Sequence, residues 1–259
     1  MKRVLIPLPS KQFDPSEVTI PWKILTGNNV SVSFATPNGS PAECDQIMLT
    51  GKGLGLLSGI LACSAEVREN YKEMTQTEPF LHPLVWSDCK VDDFHGILLP
   101  GGHDKGCIEY LESSILQDLI GQFFEKDKVV AAVCHGVVLV ARSKRGDGTE
   151  KSVLYGRKTT SLLAQQELAA YRLTCLWMGD YYLTYSVTVE DEVKAVLENP
   201  TIDFLPGKSP GITRDSECDY KNTTSLKNHV VRDGNYLSAR WPGDCHLFGH
   251  TLLEMLSAE

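Results

Sequence analysis

Three short stretches of this chain are apolar at almost every position: RVLIPLP (3–9), GILLPGG (96–102) and KVVAAVC (128–134). A strand with one wet face alternates apolar and polar residues. A strand that does not alternate must be covered on both faces, which is the habit of parallel sheets sandwiched between helices. Helical segments separate these runs. In FDPSEVTIPWKILTGNN (13–29), Asp14 stands as N-cap, Pro15 takes the first helical position and Glu17 falls three residues after the cap, as in a capping box. Gly27 and the asparagines end that helix, and Pro21 is a candidate kink. VSVSFAT (30–36) follows as a strand, so the chain opens β-α-β. EYLESSILQDLIGQFFEK (109–126) has helical spacing of apolar residues. HGVVLVARS begins another helix, and NYLSARWPGDCHLFGHTLLEML (235–256) reads as strand, turn and final helix. The fold class is therefore α/β, with a mostly parallel sheet between two helical layers.

The 259 residues suit a single α/β domain. Residues 41–87, glycine-rich with a plausible helix in AEVRENYKEM, read as an inserted cap over the sheet. Residues 144–225 read as a second, irregular insertion. Within it TVEDEVKAVLENP is expected to be helical and PTIDFLPGKSPGITRDSECD a loop. The aromatic run WMGDYYLTY (177–185) is expected in the insertion core or at a dimer surface.

Charge and cysteine usage narrow the function classes. The net charge is −8 and no Lys/Arg cluster interleaves with aromatics, which argues against nucleic acid and anionic membranes as partners. No apolar run approaches the roughly 18 residues of a spanning helix. The opening MKRVLIPLPSKQFD is too short and proline-broken for a secretory signal, so a cytoplasmic protein is expected. The eight cysteines (44, 63, 89, 107, 134, 175, 218, 245) show no C-x-x-C pair, and reduced thiols rather than disulfides are expected. GKGLGLLSG (51–59) fits neither phosphate-binding glycine pattern. His246 and His250 lie four apart without the glutamate of a zincin helix. Neither a cofactor nor a metal is expected.

The chemistry concentrates at two strand ends. In open parallel sheets, ligands sit at the carboxyl ends of the strands. One such end reads Cys134-His135-Gly136, where a sharp strand-to-helix turn would project the cysteine beside a helix N-terminus and lower its pKa. The other reads LPGGHDKG (99–106). There the Gly101-Gly102 turn would let N–H groups of Gly102 and His103, with that of His135, form an oxyanion pocket. Glu17, in the first turn of the first helix, reaches the same edge and could act as general acid or base. His135 is the candidate imidazole partner. For His103 the backbone is favoured over the ring.

A glutamate in the first helix, a P-G-G turn and a strand ending A-x-C-H-G together resemble the ThiJ/PfpI superfamily, the class I glutamine amidotransferase-like proteins. The insertion at 41–87, the PGGH turn and the Cys-His pair look most like its glyoxalase III and heat-shock chaperone branch. The resemblance implies a flavodoxin-like three-layer sandwich, a homodimer, Cys134 as nucleophile with His135 and Glu17 beside it, and a downstream acid for which Glu167 is the best match by spacing. Two positions depart from the pattern. Val137 stands where many relatives carry proline, and neither His229 nor His246 begins the His-x-Glu pair of the amidotransferases proper. The expected activity is cofactor-free conversion of a small reactive carbonyl, such as methylglyoxal, to a hydroxy acid. A cysteine amidase or peptidase, a holdase chaperone and a cysteine redox sensor stay open as alternatives.

Overall fold

The computed structural model describes residues 1–258 except Ile212, Asp215, Glu217 and Thr223. Three of those four fall in the loop expected over 200–219 and lie outside the described residues.

In chain order the principal elements are β1 (Arg3–Pro7), α1 (Pro15–Gly27), β2 (Ser31–Thr36), α2 (Ala65–Met74), β3 (Leu84–Val85), β4 (Gly96–Leu99), α3 (Ser114–Glu125), β5 (Val129–Val133), α4 (Gly136–Arg142), α5 (Ala164–Met178), α6 (Val189–Ala195), β6 (Val230–Asp233), β7 (Tyr236–Ala239) and α7 (Cys245–Ser257). The strands form one sheet in the order β3-β2-β1-β4-β5-β7-β6. Every pairing is parallel except the β6–β7 hairpin. The result is a flavodoxin-like three-layer α/β sandwich.

Why the strands lack polar positions is visible in where each side chain goes. Val4 and Ile6 of β1, Leu98 of β4, and Val129, Ala131 and Val133 of β5 pack with Val18, Trp22, Phe248 and Leu252 of α1 and α7. Leu5, Ile97, Leu99, Val130 and Ala132 point the other way, against α3, α4 and Val193 of α6. Alternate residues thus enter two separate apolar layers, and each strand must be apolar throughout.

Several boundaries differ from the sequence expectation for local reasons. The stretch 96–102 is, as expected, a strand running into a glycine turn: the strand ends at Leu99, because Pro100 has no N–H to continue the ladder. The helix expected over 109–126 is a single turn, Ile108–Leu111, and then α3, whose N-cap Ser113 accepts from Leu116 N–H. The segment expected to be irregular carries the fifteen-residue α5. Its exposed Leu173, Leu176 and Trp177 blur the amphipathic pattern by which helices are found, and its N-cap, Leu163, has no capping side chain, the acceptor for Ala164 N–H being the distant Glu190 carboxylate. Strand β6 also lies in the stretch left unread before residue 235. It pairs through a turn at Gly234 (φ 60°) and Asn235. Within 41–87, α2 packs against α1, and Leu84–Val85 forms an edge strand of the main sheet. Among the described residues, no helix is long and apolar enough to cross a membrane.

Candidate active site

β5 runs straight into α4 with only Cys134 and His135 between them. Cys134 adopts φ 57°, the left-handed region that costs an ordinary L-residue roughly 1–2 kcal/mol. Gly136 makes the corner possible: a Cβ there would stand 2.2 Å from the Leu99 carbonyl oxygen and 2.7 Å from that of Pro100. The apolar residues of β5 and of α4 up to Ala141, all buried, anchor the turn and hold its strain.

The end of β4 meets this corner and the start of α1. Asp14 caps α1 as the sequence predicts, accepting from the N–H groups of Ser16 (2.8 Å) and Glu17 (3.2 Å). The capping box, however, is not completed. Asp14 N–H donates instead to the Gly101 carbonyl (2.9 Å), and Glu17 Oε2 accepts from Gly101 N–H (2.7 Å). The acid that could have closed the cap is turned inward. A Cβ on Gly101 would lie 2.7 Å from His135 N, 2.9 Å from Glu17 Oε2 and 3.0 Å from Cys134 Cβ. Glu17, Cys134 and His135 therefore converge on the space that this glycine leaves empty. Because Gly101 N–H is engaged by Glu17, it is withdrawn from the oxyanion role that the glycine turn suggested. Gly102 does line the cavity.

Cys134 sits at the wall of a cavity of about 100 Å³, bounded also by Glu17, Gly102, His103, Leu162, Tyr182, Arg214 and Trp241. Behind the cysteine, His135 is fully buried and outside the cavity lining. Its Nδ1 is 3.5 Å from Cys134 Sγ and its Nε2 is 3.1 Å from Thr184 Oγ1. Thr184 donates its own hydroxyl proton to the His103 carbonyl (2.5 Å). It therefore accepts from His135 Nε2–H, which leaves Nδ1 as the acceptor facing the thiol. Glu167, in the first turn of α5, lies 4.0 Å from His135 Nε2 through Oε1, while Oε2 accepts from Val189 N–H (3.0 Å). The His103 ring is stacked on Tyr182 (4.5 Å between centroids) and meets Tyr181 edge-on. The ring as well as the backbone of His103 is thus part of the site.

Burial dominates the electrostatics. It lowers the His135 pKa to about 3, so the imidazole is neutral, and raises that of Glu167 to about 7. The Glu17 carboxyl is pushed well up by burial and by Asp14, against the pull of the Gly101 N–H. The Cys134 thiol also rises, through burial first and then the neighbouring Glu17 and Asp14. The His135 N–H pulls in the opposite direction and is outweighed. This reverses the sequence expectation of a depressed thiol: a helix N-terminus supplies only a local dipole, whereas desolvation and two acids act together.

Sequence reasoning missed three groups. Arg214, from the loop before β6, is buried, pairs with Asp14 through Nη2 and contacts Met48 Sδ (2.6 Å) through Nη1. Burial alone would weaken its hold on the proton, but Asp14 more than restores it. A lone arginine in a polar loop carries no motif, so only the fold could place it. Thr184 and Tyr182 belong to the aromatic run that was expected in the insertion core or at a dimer surface; here they pack on His135 and His103.

The pattern described as ThiJ/PfpI family-like matches residues 8–200. The chain belongs to the ThiJ/PfpI family. An uncharacterized protein of Schizosaccharomyces pombe is 26% identical over 189 residues, 69% of each chain. A Thermococcus kodakarensis protein named as a deglycase is 24% identical over 173 residues, 67% of this chain and 69% of its own. In fold, the chain is similar to glyoxalase III of Candida albicans, with a TM-score of 0.70 and 15% identity over 100% of this chain and 98% of the other. The glutamate, glycine turn and Cys-His-Gly corner that suggested this ThiJ/PfpI membership are the residues that meet around Gly101.

Proposed function

We propose that this ThiJ/PfpI protein is a cofactor-free, cysteine-dependent enzyme that converts small 2-oxoaldehydes, with methylglyoxal as the type, into 2-hydroxy acids. The observation that carries the reading is the convergence of Cys134, Glu17 and His135 at a cavity of only about 100 Å³. A space of that size suits a compact carbonyl compound. The names glyoxalase III and deglycase, borne by a structural neighbour and a relative, support the same chemistry.

The residues divide the work. As Cys134 Sγ attacks the aldehyde carbon, its proton passes to the adjoining Glu17 carboxylate and from there to the carbonyl oxygen, closing a hemithioacetal. N–H groups around Gly102 and His135 hold that oxygen while charge develops on it. Glu17, which lines the cavity as His135 does not, then carries the C1 hydrogen to C2 while the hydroxyl proton of O1 moves to O2. The raised affinity of Glu17 for protons makes it a stronger base than an ordinary carboxylate. The product is the thioester of a 2-hydroxy acid, and water cleaves it to release the acid and restore the thiol. Thr184 and Glu167 are positioning residues that set the tautomer and orientation of His135.

A second reading rests on the same order of thiol, imidazole and carboxylate: Cys134, His135 and Glu167 could instead drive acyl transfer from a small amide. One substrate panel separates the two. Purified protein is assayed without added thiol on methylglyoxal, glyoxal, small amides and peptides. Lactate release from methylglyoxal, absent in Cys134→Ala, is the expected result. Turnover confined to amides, or lactate release that survives Cys134→Ala, refutes the proposal.

A further inference from the structure

Glu66 in the first turn of α2, Cys218 in the loop before β6 and His246 in the first turn of α7 come together from three distant parts of the chain. His246 Nε2 is 3.1 Å from Glu66 Oε1, and Cys218 Sγ is 3.7 Å from Glu66 Oε2. One donor atom from each residue lies within 4.8 Å of the other two. Tetrahedral zinc, with bonds of about 2.0 Å to nitrogen and oxygen and about 2.3 Å to sulfur, separates its ligands by about 3.3 Å (N···O) and about 3.5 Å (S···O). His246 and Cys218 approach different oxygens of the Glu66 carboxylate, each at a spacing close to the matching edge, and all three donors lie near enough to one another for one ion to draw them together.

We propose that Glu66, Cys218 and His246 form a zinc site that is separate from the Cys134 chemistry. The mixed nitrogen, sulfur and oxygen donor set suits a borderline-soft ion such as Zn²⁺ and is poor for Mg²⁺ or Ca²⁺. His246 is held from below: it is mostly buried, and its N–H donates to Ser216 Oγ (3.0 Å). Glu66 and Cys218 are exposed, so an ion enters from solvent and water fills the fourth position. His250, the other half of the histidine pair noted in the sequence, is stacked on Tyr220 at 3.8 Å and is no part of the set.

The site has a structural consequence. Cys218 lies four residues after Arg214, which lines the substrate cavity. Zinc would fasten the loop carrying Arg214 to α2 on one side and α7 on the other. Binding to the folded chain alone stabilises it in proportion to the logarithm of zinc over its dissociation constant.

The test uses Zn²⁺ and Co²⁺ alone as probes of the full chain. Wild type is expected to retain one zinc per chain after dialysis, to unfold at a higher temperature with zinc than without, and to give a thiolate-to-cobalt charge-transfer band with Co²⁺. Cys218→Ser should abolish the band, and His246→Gln and Glu66→Gln should each weaken zinc binding at least tenfold. Circular dichroism of the metal-free variants establishes that they fold. Absence of stoichiometric binding, a band that persists in Cys218→Ser, or affinities unchanged in all three variants would overturn the proposal. None of these outcomes depends on methylglyoxal turnover.

Discussion

Replacing Glu167 with glutamine should stabilise the protein, and only above mildly acidic pH. The carboxyl is 3% exposed and meets no cation among the described residues, since His135, 4.0 Å away, is neutral. Burial raises its pKa from 4.5 to about 7. The folded state therefore binds this proton more tightly than the unfolded chain does. Its contribution to stability is complete below pH 4.5 and drains away as pH rises towards 7. At about 1.4 kcal/mol for each tenfold change in proton affinity, the loss is about 3 kcal/mol once the group is fully ionised. Glutamine retains a carbonyl oxygen to accept from Val189 N–H and never ionises. Urea unfolding of wild type and Glu167→Gln at pH 4, 5.5 and 8 measures the difference. The variant's advantage should grow by about 3 kcal/mol from the lowest to the highest pH. A flat difference would mean that Glu167 is not desolvated as described. A difference of the opposite sign would mean that the carboxylate is paired with an imidazolium, and the tautomer argument for His135 would fall with it.

Gly136→Ala should lower stability by about 3 kcal/mol, the upper end of overpacking costs, because its Cβ meets two backbone carbonyls that cannot rotate away. Thermal unfolding measures the loss, and slowed Cys134 labelling by iodoacetamide in the folded variant reports the displaced corner; an alanine as stable as wild type would show that the tight approach is not real. Methylglyoxal turnover should fall as pH drops through the raised Glu17 pKa, so the acid limb of kcat/KM should lie above the ordinary carboxylate range near about 4.3. Glu17→Gln should cost at least about 100-fold in kcat; an acid limb at the ordinary position, or a variant within threefold of wild type, would remove Glu17 from the chemistry.

How much of this was legible in the sequence depended on whether the signal was local. Asp14, Pro15 and Gly27 mark α1 by neighbouring residues, and the apolar runs mark β1, β4 and β5, so the layered architecture could be read directly. The corner at Cys134 was also local, since a cysteine and a histidine followed by a glycine between two apolar runs mark a tight strand-to-helix turn. The role of Glu17 was half legible. Its spacing from Asp14 announces a capping box, and only the approach of Gly101, 84 residues away, turns the carboxyl inward. The state of the thiol was not legible at all. The helix dipole is written in the adjacent residues, but the acids and the burial that outweigh it arrive from α1 and from the surrounding core. Arg214 and Thr184 reach the site from segments without periodicity, and nothing near them in sequence marks them.

The acidic character of the cavity bears on which electrophile the site can process. Asp14, Glu17 and Glu167 all border it, with Arg214 as the one cation among its lining residues and already paired with Asp14. A thiolate formed there in advance would add negative charge beside Glu17 in a poorly solvated space, which is why burial and the acids together push the Cys134 pKa up. Attack by a thiol whose proton travels through Glu17 to the carbonyl oxygen avoids that cost. A neutral aldehyde becomes a neutral hemithioacetal, and no net charge enters the cavity. An anionic 2-oxo acid would bring its carboxylate against Glu17 with no unpaired cation among the lining residues to meet it. On the proposed reaction, the desolvation that opposes a preformed thiolate would also favour uncharged carbonyl substrates, so a protonated thiol is compatible with that proposal.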